Sequence, residues 1–375
     1  MANRNLGEAK KTKYDEFYTQ FFDIEKEINA YLEYNSSIFR DKTILLPCDD
    51  PEWSNFTKFF AQNFGKLGLK KLISTSFAPD SKPKEINSQP SLFELESPQF
   101  DESKSNSNGK IFTLFQDKSG NNKIDYDDLE WEYLDGDGDF RSDEICNLRD
   151  QSDIVITNPP FSLFREFLAW VTEADKNFVI IGNMNALTYK EVFPLISQNK
   201  LWLGNGFQSG NAYFATPTTR DYASGVFDST TGLVKFRNVA WFTNIDHGRR
   251  HIPLTLMTEE NNIKFSKHKE VKGIGYQRYE NYDAIEVPFT DAIPSDYPGV
   301  MGVPISFLDK YSPDQFEIVG MAKRGAGDPA LKTKIYTISD HPRYSDLNAG
   351  PVLKRGKELI NTYPRILIRH RKPQK

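Results

Sequence analysis

The chain has 375 residues, 38% of them apolar and 26% charged, with a formal net charge of −5. That is the make-up of a globular protein with room for one large domain and one smaller one. No apolar run approaches the roughly 20 residues that span a bilayer, the first residues lack the apolar core of a secretory signal, and two cysteines, Cys48 and Cys146, make no disulfide framework. A membrane protein is excluded, and a reducing cytoplasm is the expected compartment.

In chain order, Ile24, Ile28 and Tyr31 recur at helical spacing and predict an amphipathic helix running to about Tyr34. Thr43 to Pro47 reads as a short buried strand, and Trp53, Phe56, Phe60 and Phe64 as the helix after it, stopped at Gly65. Lys71 to Ser76 predicts a second strand, and the Ser-, Pro- and Asn-rich stretch from Pro79 to Gly109 a long surface loop. Residues 101 to 150 hold fourteen acidic side chains against six basic ones. Asp153 to Thr157 is the next strand, Leu163, Phe164, Phe167, Leu168 and Val171 mark the helix behind it, and Phe178 to Ile181 is a further strand.

Strands alternating with helices argue for a doubly wound, mainly parallel α/β sheet, which binds ligands beyond the carboxyl ends of its strands. Beyond about residue 200 the pattern changes to short β-like runs such as Leu201 to Leu203 and Val234 to Ile245. The last stretch, Leu353 to Lys375, carries Lys354, Arg355, Lys357, Arg365, Arg369, Arg371, Lys372 and Lys375 against the single acid Glu358. It reads either as a source of phosphate contacts or as a solvated, frayed tail.

Chemistry concentrates in Asn158-Pro159-Pro160-Phe161, between the strand ending Ile-Val-Ile-Thr and an amphipathic helix. Consecutive prolines fix a rigid loop at the edge of the sheet. Such a loop can aim the Asn158 side-chain oxygen and the Pro159 carbonyl at one amino group, each accepting an N–H. Two acceptors drawing on an aromatic amine favour rehybridisation of a nitrogen whose lone pair is otherwise delocalised into the ring. Phe161 adds a face for stacking a base.

On these residues the chain resembles the EcoRI-type adenine-specific DNA methyltransferases, a family of amino-group methyltransferases with an Asn-Pro-Pro-Phe signature. The resemblance extends to Asp15-Glu16-Phe17-Tyr18-Thr19-Gln20, Pro47-Cys48-Asp49-Asp50-Pro51, Ser54-Asn55-Phe56, Gly138-Asp139-Phe140-Arg141-Ser142-Asp143-Glu144, Trp241-Phe242-Thr243-Asn244 and Gly302-Val303-Pro304-Ile305. It implies a Rossmann-like domain that uses S-adenosyl-L-methionine to methylate the exocyclic N6 of an adenine flipped out of double-stranded DNA, in the setting of restriction-modification.

By the same resemblance Phe17, Tyr18 and Thr19 hold the cofactor's carboxylate, a task that backbone N–H groups before a helix start also suit. Pro47, Cys48, Asp49 and Asp50 form the loop where the cofactor meets the sheet, although the usual Gly-rich pattern is missing and either Asp equally suits the cap of the following helix. Asp139 and Phe140 match the block that binds the cofactor's adenine. A Pro-Cys pair also occurs as the nucleophile of cytosine-ring methyltransferases, but Cys48 lies in the cofactor region and reads as a small packed residue.

Metal binding finds little support. Asp135 to Asp139 superficially suggests a calcium loop, yet Phe140 replaces the required Gly and Cys146 stands where a bidentate Glu belongs. Asp117 to Asp128 is a second partial match, with Asn122 at the Gly position and no evident flanking helices. His247 and His251 are four apart with Gly248 between them and Pro253 following, a poor metal-binding helix.

The expected organisation is a methyltransferase domain over residues 1–250 with a recognition loop inserted at about 205–232, then a DNA-recognition or accessory region over 251–375. Asn211, Arg220, Arg249 and Arg250 are the candidate DNA contacts. Two other functions stay open at this level. One is methylation of RNA adenine or of a protein glutamine, since both use an Asn-Pro-Pro signature. The other is a catalytically inactive DNA-binding or antirestriction protein that keeps the fold.

Overall fold

Short aliphatic runs, each too small to be stable alone, assemble into an eight-stranded sheet that carries the Asn-Pro-Pro-Phe loop at one edge. The computed structural model describes residues 17–49, 54–78, 97–121, 123–207, 211–216, 224–325 and 331–373. The chain forms two compact units, the first Met1–Met184 with Leu203–His247, the second Asn185–Trp202 with Gly248–Lys375.

In the first unit β1 (Tyr18–Thr19) leads into α1 (Phe21–Tyr34), which buries Ile24, Ile28 and Tyr31 on one face, as their spacing requires. Next come β2 (Thr43–Leu46) and α2 (Asn55–Gln62). The Ser54 hydroxyl caps α2 by accepting from Phe56 N at 3.1 Å, a bond worth about 1 kcal/mol. A short helix, α3 (Phe64–Leu67), ends at Gly68, whose φ of 65° is the left-handed conformation that closes a helix. The predicted stop at Gly65 therefore falls three residues early.

After β3 (Lys71–Ser76) two strands enter that the sequence reading did not anticipate, β4 (Lys110–Leu114) and β5 (Glu130–Tyr133). They extend one edge of the sheet, β4 antiparallel to β3 and β5 antiparallel to β4. Helix α4 (Asp143–Gln151) precedes β6 (Ile154–Thr157), and α5 (Phe164–Glu173) connects β6 to β7 (Asn177–Asn183). Three short strands follow: β8 (Trp202–Leu203), β9 (Asn211–Ala215) and β10 (Phe227–Asp228). The run expected as one strand over Val234 to Ile245 is two, β11 (Leu233–Arg237) and β12 (Val239–Thr243), broken at Asn238 with φ 60°.

The eight strands are ordered β5-β4-β3-β2-β6-β7-β12-β8. The central four, β3-β2-β6-β7, are parallel, while β12 runs antiparallel to β7. The unit is thus a mixed α/β fold with a parallel centre. A separate sheet, β1-β9-β11-β10, is antiparallel throughout its three pairings and begins at the residue after Phe17.

The second unit contains β13 (Ile285–Glu286), β14 (Met301–Pro304), β15 (Phe316–Ala322), β16 (Val352–Arg355), β17 (Glu358–Asn361) and β18 (Arg365–His370). Strand β18 lies inside the sheet β13-β14-β18-β15, with Ile366, Leu367 and Ile368 fully buried. The frayed-tail reading of the basic C-terminal stretch is corrected here for the residues up to His370. Arg365 is spent on Glu286, with Nη2 to Oε1 at 2.5 Å, and Arg369 on Glu317 at 2.8 Å. Among the described residues no helix is long and apolar enough to cross a membrane.

Candidate active site

Because β2, β3 and β6 are parallel neighbours, the loops that leave them emerge at the same edge. Pro47 to Asp49 leaves β2, and Asn158 to Pro160 leaves β6. The stretch from Asp137 to Phe140 reaches the same edge after β3, where Ala78 N donates to Asp137 O at 2.8 Å. Gly138, with φ 84°, permits that approach, since a Cβ there would lie 2.3 Å from the Ser76 carbonyl oxygen. Asp50 and Arg220 of the expected site residues lie outside the described ones.

Asn158 is held by its amide. Its Nδ2 donates to the Phe17 carbonyl at 2.6 Å, and since a carbonyl only accepts, the side chain must turn its NH2 that way. Its Oδ1 then faces elsewhere, and this oxygen is buried without a hydrogen-bond partner. An unmet buried acceptor costs about 1–3 kcal/mol, a cost that a ligand's N–H would remove. Pro159 is buried, and Pro160 and Phe161 are partly so.

Phe161 sits in a cluster of phenylalanine rings. It lies 6.3 Å from Phe17 in a stacked arrangement, 6.2 Å from Phe214 and 5.8 Å from Phe236. Phe17 in turn meets Phe236 edge-on at 4.6 Å. Sequence reasoning missed Phe214 and Phe236, although their alternation with Ala212 and Val234 along β9 and β11 marks one face of each strand.

Thr19 is only 2% exposed, and its hydroxyl also has no partner. The Thr19 carbonyl accepts from Asn55 Nδ2 at 2.8 Å, which ties the segment to the start of α2. The segment expected to hold the cofactor's carboxylate thus meets Asn158 through the Phe17 backbone oxygen, two residues before Thr19. Asp49 is buried at 5% exposure. Its Oδ1 accepts from Ser54 Oγ at 2.7 Å and its Oδ2 from Thr157 Oγ1 at 2.6 Å. Pro47 accepts from Thr75 Oγ1 at 3.0 Å, and Cys48 is partly exposed.

Asp139 pairs with Arg141, Oδ2 to Nη2 at 2.6 Å. That hydrogen bond holds its carboxyl below the usual carboxylate range, against the opposing effect of partial burial. Phe140 is buried, edge-on to Phe167 at 5.1 Å and Trp170 at 5.6 Å, so its ring packs behind the loop.

Asn211 stands on β9 opposite Arg237. In the second unit Arg249 donates to Asp309 at 2.7 Å. Arg250 is 5% exposed and lies 3.6 Å over the Trp202 ring with Nη2 on Asn199 Oδ1 at 2.5 Å. His247 is turned to the Leu203 carbonyl at 3.0 Å and His251 to Asp314 at 2.8 Å. Among the described residues no three His, Cys, Asp or Glu are grouped to hold a metal ion. In the acidic loop Asp117 and Asp128 accept from the backbone N–H groups of Gly120 and Ser119, both at 2.7 Å. A cavity of about 900 Å³ lined by Gln62, Leu69, Asp117 and Tyr126 lies at the amino end of β3, away from this chemistry.

A parallel strand thus ends in Asn-Pro-Pro-Phe, with a buried, unpartnered amide oxygen on Asn158 and a cluster of phenylalanine rings around Phe161. The family described as adenine-specific methyltransferase EcoRI matches residues 5–371, and the chain belongs to it. It is 42% identical over 324 residues to the type II methyltransferase M.EcoRI of Escherichia coli, covering 86% of this chain and 90% of that one. It is 32% identical over 338 residues to M.MpnI of Mycoplasma pneumoniae, covering 89% and 91%. The same identity holds over 373 residues with M.MgeORF184P of Mycoplasma genitalium, covering 97% and 98%. No solved structure matches the chain. The protein is an adenine-specific DNA methyltransferase.

Proposed function

We propose that the methyl donor is S-adenosyl-L-methionine and that the acceptor is the exocyclic N6 of an adenine flipped out of double-stranded DNA, on a doubly wound, Rossmann-like domain. The observation that carries this reading is the buried, unpartnered Asn158 Oδ1 beside an amide nitrogen already spent on Phe17. S-adenosylmethionine supplies a methyl group activated on a positively charged sulfur, so the protein's task is to position the amine and polarise it.

Asn158 Oδ1 and the Pro159 carbonyl accept the two N–H groups, and these bonds strengthen as the nitrogen gains positive charge, which lowers the barrier. Phe161 stacks on the base. The unmet Thr19 hydroxyl fits the donor's carboxylate, with Phe17 and Tyr18 shaping that end of the site. Pro47, Cys48 and Asp49 form the wall beneath the donor, and Asp50 is a further proposed donor-binding residue. Asp139 serves its adenine amino group by sharing a carboxylate now bonded to Arg141, with Phe140 packed behind as support. Asn211, Arg220 and Arg249 are the proposed DNA contacts, and Arg250 steadies the turn that carries Arg249. The proposed site of action is the cytoplasm, a reducing compartment that keeps cysteines such as Cys48 and Cys146 as thiols.

The test is transfer of labelled methyl from S-adenosylmethionine to unmethylated duplex DNA, single-stranded DNA and RNA in parallel, followed by nucleoside analysis. The reading predicts label in N6-methyldeoxyadenosine from the duplex. Label confined to RNA or to protein, or none from a folded protein that binds the donor, would sink it.

A further inference from the structure

We propose that Asp49 is a positioning residue that sets the geometry of the acceptor loop through Thr157. The role rests on the reading of Asn158 as the residue that receives the target amine. Carboxylates are rarely buried without full hydrogen bonding, because desolvation is costly. Asp49, at 5% exposure, meets that demand with two buried hydroxyls, Ser54 Oγ at 2.7 Å and Thr157 Oγ1 at 2.6 Å. Its own backbone is fixed as well. The N–H donates to Thr75 O at 3.1 Å, and the carbonyl accepts from the hydroxyls of Thr57, at 3.3 Å, and Ser74.

The carboxylate therefore hangs from a backbone anchored to β3 and α2 and reaches across to the last residue of β6. Thr157 is fully buried, and its single hydroxyl proton is committed to Asp49. The planar peptide bond between Thr157 and Asn158, and the restriction that Pro159 places on the backbone of the residue before it, leave few free torsions between Thr157 and the Asn158 amide. Asn158 is thus held from two directions, by Asp49 through the residue before it and by the Phe17 carbonyl at its own Nδ2, 2.6 Å away. One tether belongs to the loop proposed to lie under the methyl donor and the other to the segment proposed to hold the donor's carboxylate. The separation of donor and acceptor is then built into the hydrogen bonds, and a displacement of about 1 Å in such an arrangement costs on the order of a hundredfold in rate.

Four variants, Asp49→Asn, Thr157→Val, Thr157→Ser and the double variant Asp49→Asn/Thr157→Val, are compared by single-turnover methyl transfer to duplex DNA and by equilibrium binding of S-adenosylmethionine. An Asn accepts from one hydroxyl but not from both, and a Val removes the hydroxyl while keeping the shape. Each of these single variants is expected to slow transfer at least about tenfold, the scale of a hydrogen bond to a charged group, with the donor affinity of Thr157→Val within about twofold of wild type. The double variant is expected to be no slower than the slower single one, because both changes break the same link. Thr157→Ser is expected to restore the rate.

Multiplicative losses, unchanged rates, or a large loss of donor affinity in Asp49→Asn with Thr157→Val unaffected would each overturn the proposal, the last by making Asp49 a direct donor contact. If Asp49→Asn does not fold, Thr157→Val against Thr157→Ser decides alone. A wild-type rate in Asn158→Ala is the separate result that would remove the underlying reading of the site.

Discussion

Two buried polar clusters in this protein are built on opposite plans. Around Asn158 the chain spends one end of the amide on Phe17 and leaves Oδ1 unmet, with the Thr19 hydroxyl unmet as well. Around Glu286 in the second unit nothing is left over. Its carboxylate takes three hydrogen bonds from Arg365, Nε at 3.2 and 3.1 Å and Nη2 at 2.5 Å, and another from the Tyr279 hydroxyl. Burial and the adjoining Glu286 push that phenol well above its ordinary range. Saturated polar groups specify a fold. Unsaturated ones, kept at a cost, mark where a ligand completes the structure.

Phe214 is fully buried and touches Phe17 and Phe161 at 6.2 Å each. Phe214→Ala should cost about 3–5 kcal/mol of stability in denaturant unfolding and weaken donor binding with it, because the segment bearing Thr19 loses its support. Glu286→Gln leaves the Arg365 guanidinium buried without a counter-charge. A loss of about 3 kcal/mol follows, with donor affinity unchanged; an equal loss of donor affinity would show that the two clusters are not independent.

The smallest effect concerns pH. His370 is buried, its ring tilted against Phe316 at 4.7 Å and bonded to the Pro294 carbonyl at 2.7 Å. Burial holds its pKa below the ordinary 6.5, against the raising effect of that hydrogen bond. The unfolded chain therefore takes up the proton first. Stability should be intact above pH 6.5, fall as the pH drops from there through the lower folded value, and flatten beyond it. His370→Gln, measured by thermal unfolding between pH 7.5 and 5.5, should remove that slope.

How much of this was legible in the sequence follows the same division. The strands β2, β3 and β6 were readable because each is a short apolar run flanked by turn residues or helical spacing, and the parallel arrangement followed from their alternation with helices. The Asn-Pro-Pro-Phe tetrapeptide stood out as a candidate site because two prolines and an amide have few other uses at a strand end. By contrast, β4 and β5 sit in the most acidic stretch of the chain, where charge hides the alternation of Lys110 to Leu114 and Glu130 to Tyr133. Strand β18 was hidden by the arginines at its two ends, whose partners Glu286 and Glu317 lie 79 and 52 residues away. The decisive contact at Asn158 comes from a backbone carbonyl 141 residues distant, and every residue has a carbonyl. No side-chain pattern announces which one will serve.

The role proposed for Asn158 is to polarise the amine and not to bind the donor. Its most direct test is Asn158→Ala, with the single-turnover rate of methyl transfer and the dissociation constant for S-adenosylmethionine measured on the same preparation. The account predicts a rate lowered by a factor on the order of 10²–10³ with the dissociation constant within about twofold of wild type. A rate that stays within a few-fold of wild type, or a loss accounted for by weaker donor binding, would contradict it.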